Sequence, residues 1–205
     1  MPYPAELTLL IVVTVIAAGF LATLFFYGPI KRWLYAHMTV RMYYSKVKRI
    51  AEDHDYYLIN NFKSRTNDDE SFHIDHLLVG NKYIYCIRDR YYPGALSAQP
   101  DDKSWIYYKR KNAQYIDNPM LKNVVRTERL ALVSGISRNI FISIVVINDD
   151  CYLSPFDNQQ KDSYLISLKT LPALIAQLES EDVPALDEWE VERVVADFAE
   201  LKRNG

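Results

Sequence analysis

The chain has 205 residues, two cysteines and a net charge of −2 at pH 7. This length predicts one domain of about 150 residues plus an additional segment. The composition excludes a disordered protein, a free cytosolic enzyme and a transporter with many spans, because it combines an ordinary apolar content with one long uncharged run. The two cysteines form no CxxC motif, which favours a reduced compartment over a disulfide framework.

The uncharged run extends from Leu7 to Tyr27 and contains 21 residues. As a helix it would be roughly 30 Å long, the thickness of the hydrocarbon core of a bilayer. A cleaved signal peptide is the alternative, but the run is too long for one and no lysine or arginine precedes it. We therefore predict an N-terminal tail and one transmembrane helix over residues 1–28.

Positive charge is confined to the C-terminal side of this predicted span, with four bases in the next 20 residues: Lys31, Arg32, Arg41 and Lys46. The positive-inside rule therefore predicts an N-terminus outside the cell membrane and a cytoplasmic domain. The basic juxtamembrane connector, residues 29–42, could lie on an anionic leaflet or simply lead into the domain. Both interpretations stay open.

The rest of the chain alternates between strand and helix patterns. In chain order we predict a helix to about residue 53, strands at 56–62, 72–79 and 83–88, a short strand at 105–108, a helix at 119–133, strands at 140–147 and 163–168, and two amphipathic helices. Asn118 is placed to cap the helix at 119–133, and Gly135 lies just past its end. The fold class is α/β, with a mixed sheet flanked by helices.

One segment, FHIDHLLVGNKYIYCIRDRYYPGAL (residues 72–96), carries an ordered set of motifs. An apolar residue precedes Asp-His, an apolar triplet and a turn lead to an aromatic strand, and a glycine, a tryptophan and Asn-Pro follow. The positions are Ile74, Asp75, His76, Leu77 to Val79, Gly80 to Lys82, Tyr83 to Ile87, Gly94, Trp105, Asn118 and Pro119. In this order and spacing, residues 43–148 resemble the nuclease-related domain (NERD) family.

The resemblance implies a restriction-endonuclease-like core at residues 43–168, followed by C-terminal helices at 169–205. It also implies a bacterial source, a DNA-linked role and metal-dependent phosphodiester cleavage of the PD-D/E-x-K type. In such a site two carboxylates hold Mg²⁺ near the scissile phosphate, and a lysine orients or activates the attacking water. Asp75 stands at the position of the first carboxylate.

The chain departs from this pattern at the other positions. Arg88 stands where the second carboxylate belongs, Arg90 where the lysine belongs, and Lys122 where the family has glutamine. Guanidinium groups repel a divalent cation and cannot deprotonate at neutral pH. We therefore expect no metal and no other cofactor. The alternative is an active Mg²⁺-dependent nuclease that uses Asp75 and a displaced acid, Asp89, which alternation places on the opposite strand face.

Bases near this position could instead form one nucleic-acid-binding surface, comprising Arg88, Arg90, Lys122, Arg126 and Arg129. The last three fall at i, i+4 and i+7 on the predicted helix. The alternative is that Asp75 forms a structural ion pair with Arg88 or Arg90, while the helical bases are solvated. Four tyrosine pairs, among them Tyr107-Tyr108, could stack on bases or cover a sheet.

Three functions follow from these observations. The favoured one is a membrane-anchored, catalytically inactive pseudoenzyme that binds nucleic acid or protein. The second is the active nuclease, and the third is a protein-interaction scaffold that uses the acidic C-terminal segment, which has nine acids against three bases from Glu179 to Gly205. A zinc site at His73, Asp75 and His76 is disfavoured, because alternation separates His76 from the other two.

Overall fold

The computed structural model describes residues 5–66, 70–156 and 161–204. The chain divides into two compact units, residues 1–39 and 40–205. The first helix, α1 (Ala5–His54), contributes residues to both units. Residues 1–4 of the predicted N-terminal tail lie outside the described part of the chain. The predicted functional boundaries at residues 28, 42 and 168 stay predictions.

In the first unit, the 22-residue segment Leu9–Ile30 of α1 is long and apolar enough to cross a membrane, with a mean hydropathy of 2.7 in an 18-residue window. None of this segment is buried against the rest of the protein. Leaving so many apolar side chains in water would cost about 25 cal/mol for each Å² exposed. The predicted apolar helix is confirmed, with the candidate span shifted by two or three residues.

The second unit is built on β-strands. The described residues contain β1 (Tyr57–Arg65), β2 (Ser71–Val79), β3 (Ile84–Arg90), β4 (Ala95–Ser97), β5 (Ser104–Lys109), β6 (Asn112–Asp117), β7 (Phe141–Ile147), β8 (Tyr152–Leu153) and β9 (Ser163–Ser167). Five of them form a mixed sheet in the order β1-β2-β3-β7-β9. The first three pair antiparallel, and β7 and β9 continue the sheet in parallel.

Helices cover both faces of this sheet. They are residues 40–54 of α1, α2 (Pro119–Ser134), α3 (Leu171–Glu179) and α4 (Glu188–Asn204), with a short 3-10 helix at Arg138–Ile140. On one face, α1 and α3 pack with Tyr85 and Ile87 of β3. On the other face, α2 and α4 pack with Cys86 of β3. Because successive side chains of β3 enter different cores, each residue of this strand has a defined side.

A second sheet has the strand order β6-β5-β4-β8. Its buried face contributes Trp105 to a third core cluster with Met120 of α2 and Val145 of β7. The sequence predicts only the short strand at 105–108, so it misses β4, β6 and β8. The first and last of these have three and two residues, too few to show alternation, and β6 is exposed at five of its six positions.

The other predicted elements are confirmed. Gly80 to Lys82 form a tight connection between β2 and β3, with the amide of Gly80 donating to the carbonyl of Tyr83 at 2.9 Å. Strand β7 is buried at every position, as its run of apolar and β-branched residues predicts. The two C-terminal helices form as α3 and α4. The mixed α/β architecture flanked by helices therefore matches the predicted fold class.

Helix α2 begins where the sequence predicts. The Asn118 side-chain oxygen accepts from the amide of Met120 at 2.8 Å, and its Nδ2 donates to the carbonyls of Pro100 and Asp102 at 2.8 and 2.7 Å. Gly135 ends the helix with a φ of 67°, a left-handed conformation that favours glycine. One buried asparagine thus fixes both the start of α2 and the loop before β5.

We expect Asn118→Ala to lower the free energy of unfolding by about 3 kcal/mol, since it removes an N-cap and two further hydrogen bonds that contribute about 1 kcal/mol each. Asn118→Ser, which keeps an acceptor for the cap, should lose less. The measurement is urea unfolding of the full chain in detergent, followed through buried Trp105. The control is Asn112→Ala, at an exposed position of β6; an equal loss there would contradict the role of Asn118.

Candidate functional site

The pairing of β2 with β3 determines which polar side chains meet. His76 lies opposite Ile87 in the antiparallel register. Asp75 precedes His76 and Arg88 follows Ile87, so the two residues lie close together where this pairing ends. The Arg88 Nη1 atom donates to Asp75 Oδ1 at 2.8 Å. The structure therefore brings together the residues at the positions of the first and second carboxylates.

The second oxygen of Asp75 is also occupied. Asp75 Oδ2 accepts from the backbone amide of Asp89 at 2.9 Å. The side chains of Asp75 and Arg88 are only 21% and 15% exposed, so water screens this ion pair weakly. Burial lowers the pKa of Arg88, and the charge of Asp75 opposes that shift. The ion pair is a fixed, largely dry interaction between two strands.

His73 completes the contacts on this face. Its Nδ1 lies 2.9 Å from Arg88 Nη1, and its Nε2 lies 2.7 Å from Asn61 Oδ1. A guanidinium can only donate, so Nδ1 accepts and the proton is assigned to Nε2. Burial lowers the pKa of His73, which agrees with this neutral form. Asn61 has a φ of 51°, a conformation that asparagine adopts more readily than most residues.

Asp89 lies on the opposite face of β3. Its Oδ2 is 2.9 Å from His76 Nε2, and His76 Nδ1 is 2.6 Å from Asn60 Oδ1. The His76 ring stacks on Tyr44 of α1 at a centroid distance of 6.4 Å. Burial raises the pKa of Asp89, and the hydrogen bond from His76 opposes that shift. The carboxylates of Asp75 and Asp89 therefore point into different environments.

Three of the five predicted basic residues come together beside Asp75. Burial lowers the pKa of Arg126 on α2, and the positive charges of Arg88 and Arg90 lower it further. Arg126 Nη1 is buried and has no hydrogen-bond partner among the described residues. Arg90 Nη1 donates to the carbonyl of Asp89 at 2.8 Å. We call Arg88, Arg90 and Arg126 the arginine cluster.

The other two predicted bases form ion pairs near the surface. Lys122 Nζ donates to Asp117 Oδ2 at 2.5 Å, and Arg129 pairs with Glu70. The charge of Arg129 still lowers the pKa of Arg126 slightly. Exposed ion pairs contribute about 0–1 kcal/mol and exchange readily with solvent. Lys122 and Arg129 thus border the site, while Arg126 is part of it.

No group of three metal-ligating side chains occurs in the part of the chain that the structure describes. Cys86 is fully buried, and burial raises the pKa of its thiol to about 12. Burial also raises the pKa of the Cys151 thiol, to about 11. Neither cysteine forms a reactive thiolate at neutral pH, because the thiolate is the nucleophilic form.

Sequence reasoning missed the contact from His76 to Asp89 and the role of Asn60. The predicted turn between β2 and β3 could have indicated the contact between His76 and Asp89. A tight turn sets the register, and the register puts the side chains of His76 and Asp89 on one face. The pairing of Asn60 with His76 across β1 and β2 depends on a longer connection. That connection includes residues 67–69, which lie outside the described part of the chain.

A double-mutant cycle tests the ion pair in this site. We expect Asp75→Asn and Arg88→Met each to lower the free energy of unfolding by about 2 kcal/mol, because each leaves a partly buried charge without its partner. The double variant should lose about 1–2 kcal/mol less than the sum of the two. Urea unfolding of the full chain in detergent measures all three. Strictly additive losses would contradict a direct interaction.

A comparison with protein-family profiles identifies the family of this chain. A comparison with curated protein sequences found no significant match. A crystal structure described as a protein of unknown function, AF1548, is similar at 10% sequence identity and a TM-score of 0.35, over 78% of this chain and 98% of that chain. The sequence profile of the nuclease-related domain, NERD, matches residues 41–148. This match covers more than half of the sequence, and the chain belongs to the NERD family.

Proposed function

We propose that this protein is a membrane-anchored NERD protein that binds nucleic acid on its cytoplasmic domain without cutting it. One observation carries the proposal. The guanidinium of Arg88 bonds to Asp75 at the position where the family resemblance places a second metal-binding carboxylate. An anion-binding group thus stands where a nuclease needs a cation-binding group.

The residues around Asp75 do not fit Mg²⁺. This ion prefers an octahedron of oxygen ligands, usually one or two carboxylates and several waters. Here one carboxylate is present, and both of its oxygens already accept hydrogen bonds. A cation beside Asp75 would also lie against the positive charge of Arg88. Binding Mg²⁺ would therefore require breaking the ion pair and exposing two buried charges.

The alternative site with Asp89 finds no support in this arrangement. Asp89 and His76 are 13% and 5% exposed and bond to each other. To act as a second metal ligand, Asp89 would have to break its bond with His76 and move to the face of the strand where Asp75 lies. Because side chains alternate along β3 and Asp89 is paired with Val146 of β7, such a turn would need a bulge in a paired strand.

The arginine cluster supports binding of a phosphate group. The positive charges of Arg88 and Arg90 repel that of Arg126. Of the charges that act on Arg126, Asp75 is the one that opposes this repulsion. A phosphate would relieve this repulsion and accept from Arg126 Nη1, which has no partner among the described residues. Bidentate hydrogen bonds from guanidinium groups suit phosphate oxygens. The nucleic-acid backbone is a chain of such phosphate groups, and it is the ligand that a nuclease-related fold suggests.

The anchor and the basic residues after it support the cytoplasmic location. The segment Leu9–Ile30 could cross a membrane. Lysine and arginine residues follow this segment closely, and none precedes it. Positive flanks are retained on the cytoplasmic side during insertion. The proposed topology places the NERD domain where nucleic acid is present.

The first test is cleavage. The full chain in detergent should leave single- and double-stranded DNA and RNA intact with Mg²⁺ or Mn²⁺, since the residues around Asp75 do not fit the metal that would activate water. The readout is gel electrophoresis of labelled substrates. Asp75→Ala, purified in parallel, controls for contaminating nuclease. Cleavage by the wild type that Asp75→Ala abolishes would overturn the inactive assignment.

The second test is binding. Arg126→Ala should weaken affinity for DNA about tenfold, because a hydrogen bond between charged groups contributes about 1.5 kcal/mol or more. It should also reduce the slope of log affinity against log salt by about 0.9, the value for one phosphate contact. Fluorescence anisotropy over a salt series measures both. The matched control is Arg49→Ala, an exposed arginine of α1; if both variants bind like the wild type, the arginine cluster is not the site.

A further inference from the structure

The sheet β6-β5-β4-β8 has one buried and one exposed face. On β5, Trp105 and Tyr107 are 1% and 5% exposed and face the core. Tyr108 points the other way, as do Tyr115 of β6 and Tyr152 of β8 in the registers of these strands. Their exposed fractions are 42%, 80% and 71%. We call these three residues the tyrosine face.

Small neighbours keep the rings of this face accessible. Tyr108 pairs with Ala95 on β4 and with Ala113 on β6. Ala95 also pairs with Tyr152, so one alanine separates two tyrosines in the same row. With strands about 4.8 Å apart, the Cα atoms of Tyr108 and Tyr152 are about 10 Å apart.

The tyrosine face has no partner within the described part of the chain. None of its three side chains makes a hydrogen bond, an ion pair or a ring contact there. By contrast, Tyr107 on the buried face lies 5.3 Å from the ring of Tyr92. Tyrosine in a sheet normally packs its ring and leaves only its hydroxyl in water. Three exposed rings on one face indicate a surface for an external aromatic group.

Positive charge lies at one edge of this face. Directly after Tyr108, the last residue of β5 and the turn into β6 carry three consecutive exposed cations, Lys109, Arg110 and Lys111. None of them forms an ion pair with a described residue. Unpaired cations beside exposed aromatic rings match the two components of a single strand, which are phosphates and unstacked bases.

We infer that the tyrosine face binds single-stranded nucleic acid, with bases stacked on Tyr108, Tyr115 and Tyr152 and phosphates held by the cations at residues 109–111. The inference rests on the proposed function and names the form of nucleic acid. A duplex hides its base faces, so it cannot use the rings. The surface shares no residue with the arginine cluster.

A membrane surface is the other binding partner that tyrosine and basic residues contact. It fits this face less well, because the described strands expose alanine, serine and aspartate between the rings. Leucine, phenylalanine and tryptophan, the apolar side chains that enter lipid at an interface, are absent from this face of the four strands. Ile106 is the bulky apolar residue there, and it is half-buried. Membrane binding is therefore an outcome of the test.

The experiment compares the full chain in detergent with its variants by fluorescence anisotropy. The probes are labelled oligo(dT) of about 12 nucleotides, within the range that one single-strand-binding domain covers, and a duplex of equal length. Tyr108→Ala and Tyr152→Ala should each weaken oligo(dT) binding about fivefold or more, since one stacked base contributes that much. Tyr108→Phe should bind like the wild type. Duplex binding should change little in any of them.

The control is Tyr57→Ala, which removes an exposed tyrosine of the other sheet and should have no effect. Unchanged oligo(dT) binding by both alanine variants would overturn the inference, as would an equal loss on duplex. Loss of binding to phosphatidylserine vesicles, without loss on oligo(dT), would overturn it in favour of a membrane contact.

If Arg126→Ala weakens binding of both probes while the tyrosine variants do not, the proposed function stands and this inference fails. If the wild type binds neither probe, both fail.

Discussion

The hydrogen-bonded ion pair between Asp75 and Arg88 is the interaction on which the rest of the site depends. It joins β2 to β3, and the second oxygen of Asp75 holds the backbone of the next residue, Asp89. With the backbone fixed there, the side chain of Asp89 must point to the other face, where His76 receives it. One carboxylate thereby sets the direction of Arg88 and Asp89, two of the three charged residues at the end of β3.

The elements that the sequence predicts are those whose pattern is local. The buried strand β7, the cap of α2 at Asn118 and the β2–β3 turn each depend on a few adjacent residues. The sequence also offers an ion pair of Asp75 with Arg88 or Arg90, and the structure forms it with Arg88. The resemblance to NERD proteins added the chemical meaning of these positions, which alternation alone does not supply.

What could not be predicted depends on contacts between distant segments. Strand β8 has two residues and exists because Tyr152 and Leu153 pair with β4, more than 50 residues earlier. Strand β6 is nearly all exposed, so it lacks an apolar period that would identify it. Helical spacing likewise places Lys122 on the same face as Arg126, but the Lys122 side chain bonds to Asp117 at the end of β6. Helical spacing gives a face but not the partner of each side chain.

A change of charge at one position can reverse what such a site binds while the fold persists. Two carboxylates at positions 75 and 88 would carry two negative charges, whereas Asp75 and Arg88 together carry no net charge. Arg90 and Arg126 then leave an excess of positive charge in a partly dry environment, where electrostatic interactions are stronger than in water. Such an excess disfavours a cation and favours a phosphate, which is the basis of the proposed function. The strands that position metal-binding groups in the pattern implied by the family resemblance here position guanidinium groups, so the proposed binding of nucleic acid does not require cleavage.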